Sequence, residues 1–296
     1  MSAISRVTVG SAGYTGVQNM EAAAARMADL QNKLSSGKRM SAPSDDPAGT
    51  VRALQLRGAL SRNEQYTANA QDAQSWLNTI DDSYSSIVAT LQRARTLVVR
   101  GLNTGVNDAA ANQALASEMD TVRSTMLQLA NSTFDGRPVF GGTTGSPVAY
   151  DTSGNYVGDN GVVSRDVGEG LSVDVSTTGP SVFGSGAGDV FSLIATAANA
   201  LRTNPGGMSG LLAQFDGAIA QVSSAQAQAG ARAGQIQDAA GGLTTRNVAL
   251  QSELSGVEDV DMAEMAMKVT TANTNYQAAL QTTATISQLS LMDFLR

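Results

Sequence analysis

Apolar and small residues near both ends of the chain recur in alternating steps of three and four. This period places them on one narrow face of an α-helix, where they can pack along a second helix. It predicts terminal helices over about 17–36 and 260–292. Because the two stretches are similar in length, we expect them to pair with each other. Isolated helices with such a stripe are marginal in water, so we also expect further partners to cover them.

Helical periodicity also fills most of the remaining chain. One frame runs from Pro47 to about 102, and a second follows the break "NTGVNDAA", where Asn107 or Asp108 can cap the helix. Two helices joined by so short a turn should form an antiparallel hairpin. Helical texture resumes after Asp189, breaks at "NPGG", and continues to about 257.

Between 141 and 185 the helical period disappears and glycines cluster. Leu171, Val173 and Val175 alternate with polar residues, which is typical of a β-strand. The fold class predicted is mainly α: an elongated antiparallel helical bundle built from both chain ends, with a small β-rich inserted domain. The predicted divisions are terminal helices in 1–45 and 256–296, mobile in the isolated chain, a helical body in 46–140 and 186–255, and an insert in 141–185.

Composition narrows the possible functions. The chain of 296 residues contains no Cys and no His, so thiolate and imidazole chemistry is absent from any active site or metal site. Its formal net charge of −7 argues against binding to nucleic acid or anionic lipid through phosphates. No apolar run is long enough to cross a bilayer, and residues 1–16 lack the features of a cleaved secretory signal. We therefore expect no catalytic residues, metal or cofactor, and no nucleic-acid or membrane partner.

The acidic doublet Asp45–Asp46 has three possible roles. Asp46 is a preferred N-cap residue, Pro47 suits the first helical position, and negative charge stabilises a helix N-terminus. The doublet could instead ligate a metal or act in catalysis, or it could contact a neighbouring subunit. We favour the cap, whose loss typically costs about 1 kcal/mol. Gly37 stands where a glycine commonly ends a helix.

A second acidic group comprises Glu258, Asp259, Asp261 and Glu264. It lacks the ligand spacing and central glycine of a calcium-binding EF-hand loop. We interpret it as the start of the last helix, capped by Asp259 or Asp261. The glycine runs "GGTTGS" and "GSGAGD" lack the features of nucleotide-binding loops and are interpreted as ordinary loops.

Two segments carry a resemblance to a known family. "LSSGKRMSAPSDDPAG" at 34–49 resembles the N-terminal motif of bacterial flagellins and their relatives, and residues 257–295 resemble the matching C-terminal motif. Within that superfamily the chain is more similar to the hook–filament junction proteins. The proline after the acidic doublet, "GRPVFGGTTGSPVAYD" at 136–151 and the ending "QLSLMDFL" carry this preference.

The resemblance implies a structural adapter that links the hook side of a flagellum to its filament by polymerising through the terminal helices. It implies a ring of copies, contacts with a hook-side hook-associated protein and with flagellin, and an export chaperone that holds the C-terminal helix. It also implies an extracellular location, reached through the flagellar type III apparatus without a cleaved signal. The expected subunit and chaperone contacts are the apolar residues Met20, Met27, Leu34, Met265, Val269, Tyr276, Ile286 and Leu289.

Two alternatives remain open from the sequence. The chain could be a minor flagellin that forms the filament shaft, or it could be a secreted helical translocator or effector. Some flagellin-like chains carry a metalloprotease in the variable insert, but that enzyme needs a His-Glu-x-x-His helix, which a chain without His cannot supply. A non-enzymatic role is therefore predicted.

Overall fold

The computed structural model describes residues 9–103 and 108–294, with side chains at 9–13, 187 and 286–294 left undescribed. The elements in chain order are α1 (Val9–Ser36), α2 (Pro47–Leu102), α3 (Ala109–Ala130), β1 (Thr133–Phe134), β2 (Arg137–Pro138), β3 (Ser164–Gly168), β4 (Leu171–Asp174), α4 (Gly179–Phe183), α5 (Val190–Thr203), α6 (Ser209–Glu258) and α7 (Met262–Phe294). The predicted mainly helical fold with a small β-rich insert is confirmed.

Helix starts coincide with the polar residues that the sequence indicates. The Asp108 carboxylate accepts a hydrogen bond from the Ala111 N–H at 2.7 Å and caps α3. Asp189 caps α5 in the same way, through the Ser192 N–H at 2.6 Å. The alternative cap, Asn107, lies outside the described residues. Among the residues that are described, no helix is long and apolar enough to span a membrane.

The chain forms two compact units, and α2 and α6 contribute to both. The central unit comprises Arg62–Asn247, and the terminal unit comprises Met1–Ser61 with Val248–Arg296. The sequence-based division at 45/46 and 255/256 stays a prediction.

The central unit has a continuous apolar core in which one stripe of each long helix is fully covered. The stripe residues follow the three–four spacing that places them on one helix face. Fully buried examples are Ile80, Tyr84, Ile87 and Leu91 of α2, Met119 and Met126 of α3, Ile194 and Leu201 of α5, and Phe215 and Val222 of α6.

Two small antiparallel hairpins belong to the central unit. The turn between β1 and β2 places Asp135 and Gly136 at positive φ (48° and 73°), the conformation that a tight hairpin turn requires. In the second hairpin, β3 pairs with β4 so that Ser164 lies opposite Asp174. The sequence indicated the strand at 171–175, but the β1–β2 hairpin was missed and begins before the predicted insert.

Aromatic rings fill the space between the hairpins and the helices. The Phe183 ring lies 5.3–5.5 Å, centroid to centroid, from the rings of Phe140, Tyr150 and Phe191. These rings are buried, and such contacts add to the free energy of burying the side chains themselves. The insert is therefore part of the central core.

Two aspartates organise the irregular part of the insert. The Asp159 carboxylate accepts hydrogen bonds from the Thr143 N–H at 2.6 Å and the Gly161 N–H at 2.9 Å. Asp151 accepts from the Asn155 side-chain amide at 2.9 Å and from the Asn155 N–H at 2.8 Å. Because these bonds favour the charged form, the pKa of each carboxyl lies below its ordinary value. The charged carboxylates of Asp151 and Asp159 therefore stabilise the loops of the insert through hydrogen bonds.

Candidate interface on the terminal helix pair

The terminal unit brings the two chain ends together as an antiparallel pair of helices, α1 and α7. Near one end, the Thr283 hydroxyl donates a hydrogen bond to the Gly16 carbonyl at 3.3 Å. A Cβ at residue 16 would stand only 3.2 Å from that hydroxyl, so the absence of a side chain permits the close approach. Near the other end, Lys38 lies opposite Asp259 in an antiparallel bridge.

The apolar residues predicted to form interfaces lie on this pair, and most of them are only partly covered. Met265 is the exception, with 7% of its surface exposed. Ile286 and Leu289 have side chains outside the described part of the structure. The half-buried members of the set are Met20, Met27, Leu34, Val269 and Tyr276.

Further apolar side chains of the pair face solvent outright. Tyr14 is 70% exposed and Met267 is 65% exposed. Met267 lines a groove of about 410 Å³ between the two helices, with Ala23, Leu30 and Ala272 as its other apolar residues. Arg26, Glu264 and Lys268 supply charge along the same groove. An apolar surface with charged side chains at its margins is typical of a protein–protein contact.

The connection from α1 to α2 contains the acidic doublet, and its two members have different roles. Asp46 accepts a hydrogen bond from the Gly49 N–H at 2.8 Å, which is the N-cap contact, and Pro47 is the first residue of α2. Asp45 instead accepts bonds from the backbone N–H groups of Ser41 and Ala42, both at 3.0 Å. These donors lower the pKa of Asp45. The sequence indicated Asp46 as the cap, and it gave no separate role to Asp45.

Gly37 follows the last residue of α1 with φ at +68°, in the left-handed region. No atom lies within 4 Å of the position that a Cβ would occupy. Glycine is therefore favoured by the backbone conformation alone, as expected where a helix ends.

In the connection from α6 to α7, Asp259 and Asp261 have different roles, although the sequence allowed either of them as the cap of α7. Asp261 caps α7 by accepting hydrogen bonds from the N–H groups of Ala263 at 2.8 Å and Glu264 at 3.1 Å. Asp259 instead forms an ion pair with Lys38, whose Nζ lies 2.7 Å from its carboxylate. That contact lowers the pKa of Asp259 and raises the pKa of Lys38.

The two connections meet in a small structure that we call the clasp, formed by residues 37–39 and 258–260. The Arg39 N–H donates to the Glu258 carbonyl at 2.6 Å, and the Val260 N–H donates to the Gly37 carbonyl at 3.1 Å. The Glu258 side chain is 7% exposed, and its carboxylate lies 2.9 Å from the Arg57 guanidinium and 3.4 Å from Lys38 Nζ. Sequence reasoning missed these ion pairs.

Among the acidic residues that the structure describes, no three are grouped so that they could hold a metal ion. The doublet carboxylates are engaged by backbone donors, as shown above. The surface of the terminal unit is suited to contact with other proteins.

Comparison with known proteins places the chain in a family. A model of the bacterial flagellin N-terminal helical region matches residues 14–144, and one of the flagellin C-terminal helical region matches 212–295. A flagellin of Bacillus subtilis is 30% identical over 83% of this chain and 84% of its own. The chain belongs to the bacterial flagellin family, and the resemblance inferred from its two end motifs is confirmed.

Other relatives are hook-associated proteins by name. Flagellar hook-associated protein 3 of Escherichia coli is 29% identical over 76% of this chain and 68% of its own. The crystal structure of flagellar hook-associated protein 3 from Legionella pneumophila has the same fold, with a TM-score of 0.62 at 17% identity over 69% of this chain and 98% of that one.

Proposed function

We propose that this chain is a structural, non-enzymatic adapter of the bacterial flagellum, which links the hook side to the flagellin filament at their junction. One observation carries the proposal: the two family-matched chain ends fold against each other and leave their apolar stripes only half covered. The similarity to hook-associated protein 3 supports the junction over the filament shaft.

The terminal pair is the part that assembles. Half-buried Met20, Met27 and Tyr276, with the exposed Met267 groove, offer apolar area that neighbouring copies can cover. Burial contributes roughly 25 cal/mol per Å² of apolar surface, so many such contacts in a ring hold helices that are marginal alone. The same surface contacts the hook-side hook-associated protein and flagellin. Before assembly, an export chaperone covers the C-terminal helix of a chain exported without a cleaved signal.

Immunogold labelling of purified flagella tests the location. A junction adapter gives one band of label between hook and filament. Loss of the chain leaves hooks without filaments and sheds flagellin into the medium. Label along the shaft, with shortened or altered filaments on loss, would instead identify a minor flagellin. Absence of label from flagella would contradict both assignments.

A point variant tests the surface. Met27→Lys places a charge on the half-buried stripe of the terminal pair and should abolish filament attachment, because the charge cannot be desolvated in a packed contact. Val162→Lys is the matched control, since Val162 is exposed in the central unit. Normal filaments with Met27→Lys would contradict the assigned surface.

A further inference from the structure

The clasp joins segments about 220 residues apart in the chain, and every residue in it belongs to the terminal unit. It combines two backbone hydrogen bonds with ion pairs from Lys38 and Arg57 to Glu258 and Asp259. Glu258 is the only buried charged side chain in the described part of the chain. A buried carboxylate depends strongly on its partners, because an unpaired charge is poorly solvated there. Loss of its cationic partners is therefore costly for the Glu258 carboxylate.

One apolar side chain of the terminal pair is well buried, and it lies near the clasp. Met265, one turn into α7, is the only buried apolar side chain of α1 and α7 among those described. Farther along, toward Gly16 and Thr283, the stripe residues Met20 and Tyr276 are half-buried. Two helices held by so little apolar area need a fixed end to remain paired, since helix pairing without an anchor does not repay the lost chain entropy.

We infer that the clasp is a conformational switch: when closed it orders α1 and α7 along each other, and when open it releases both helices while the central unit stays folded. The inference concerns the isolated chain and does not depend on where the protein assembles. Closing the clasp brings the two helix ends to adjacent positions, so pairing then proceeds from Met265 outward. Opening the clasp frees the end of the α1–α7 pair at which Met265 is buried.

The chain contains no Cys of its own, so two introduced cysteines can form only one intramolecular disulfide. Such a disulfide can lock the switch in its closed state. Lys38 and Asp259 are bridge partners in antiparallel geometry, in which Cα atoms lie about 4.5–5.5 Å apart, within the range that a disulfide spans. The test uses the full-length chain carrying Lys38→Cys and Asp259→Cys, and compares hydrogen exchange of its oxidised and reduced forms. The lock should slow exchange of α1 and α7 amides at least about tenfold and leave the central unit unchanged.

The matched control is Ser164→Cys with Asp174→Cys, another pair of bridge partners, placed in the β3–β4 hairpin of the central unit. Its oxidation should leave exchange in α1 and α7 unaltered. The inference is overturned if the 38–259 disulfide forms without slowing α1 and α7. It is equally overturned if that disulfide fails to form where the hairpin disulfide does, or if the lock slows the central unit to the same extent.

Discussion

The central unit and the terminal helix pair use the same helical period but achieve different burial. In the central unit, residues such as Ile80 and Ile87 are completely covered by other helices of the same chain. In the terminal pair, Met20 and Met27 occupy equivalent stripe positions and remain half-buried. Two helices alone cannot surround each other's stripes, whereas four can. A periodic stripe therefore indicates a contact surface, and the number of available partner helices decides whether that surface becomes a core.

The largest expected effect lies in the central aromatic cluster. Phe183→Ala removes a ring in contact with three others and should lower the free energy of unfolding of the central unit by about 3–5 kcal/mol. Thermal unfolding monitored by circular dichroism measures it. Leu171→Ala, at a position 46% exposed, should change stability by no more than about 0.5 kcal/mol. Equal effects of both variants would remove the distinction between core and surface.

Within the terminal pair, the two ends should respond differently. Met265→Ala removes the best-buried side chain of the pair. It should lower the free energy of local opening of α1 and α7 by about 2 kcal/mol. Met20→Ala removes a half-buried side chain and should cost less than about 1 kcal/mol. Hydrogen exchange of the two helices measures both. A larger effect at Met20 would reverse the gradient of burial described here.

The start of α2 provides a smaller effect. Asp46→Ala removes the acceptor of the Gly49 N–H and should cost about 1 kcal/mol, seen as faster exchange in the first turn. Asp46→Asn should retain most of the protection, because asparagine is an equally good cap. Full protection in Asp46→Ala would show that the carboxylate does not cap the helix.

The smallest expected effect is a change in how the thermal stability of the chain depends on pH under acid conditions. The pKa values of Asp151 and Asp159 in the folded chain lie below the ordinary value of 3.8. Stability from these groups is present above that value and is lost as pH falls through the folded pKa. Asp159→Asn should flatten the fall in Tm between about pH 5 and 2. The control is Asp238→Asn, at an exposed position of α6. Identical pH profiles would contradict the role of Asp159.

Local signals made most of the fold predictable. Gly37, Pro47 and the capping aspartates at 46, 108 and 189 act within one helical turn, so the sequence marks these helix bounds. The start of α1 was placed wrongly, because the helix begins at Val9 and not at about 17. The β1–β2 hairpin was missed because its strands of two residues are too short to show an alternating pattern. Its Asp135–Gly136 turn was the one available signal.

The clasp could not be predicted because its partners are far apart in the chain. Lys38 and Arg57 look like ordinary exposed cations in the sequence, and Glu258 and Asp259 look like the first turn of a helix. Only the folded arrangement of the terminal unit brings these charges together. The apolar stripe residues of α1 and α7 were found from periodicity, but their use in assembly remains a prediction.

Deletion of residues 260–296 separates assembly through the terminal helices from folding of the central unit. The deletion removes α7, which lies in the terminal unit, and leaves every residue of the central unit in place. We expect a folded protein that retains a cooperative thermal transition of the central unit, while cells producing it fail to attach filaments to their hooks. Normal junctions built by the truncated chain, or loss of the central transition, would contradict it.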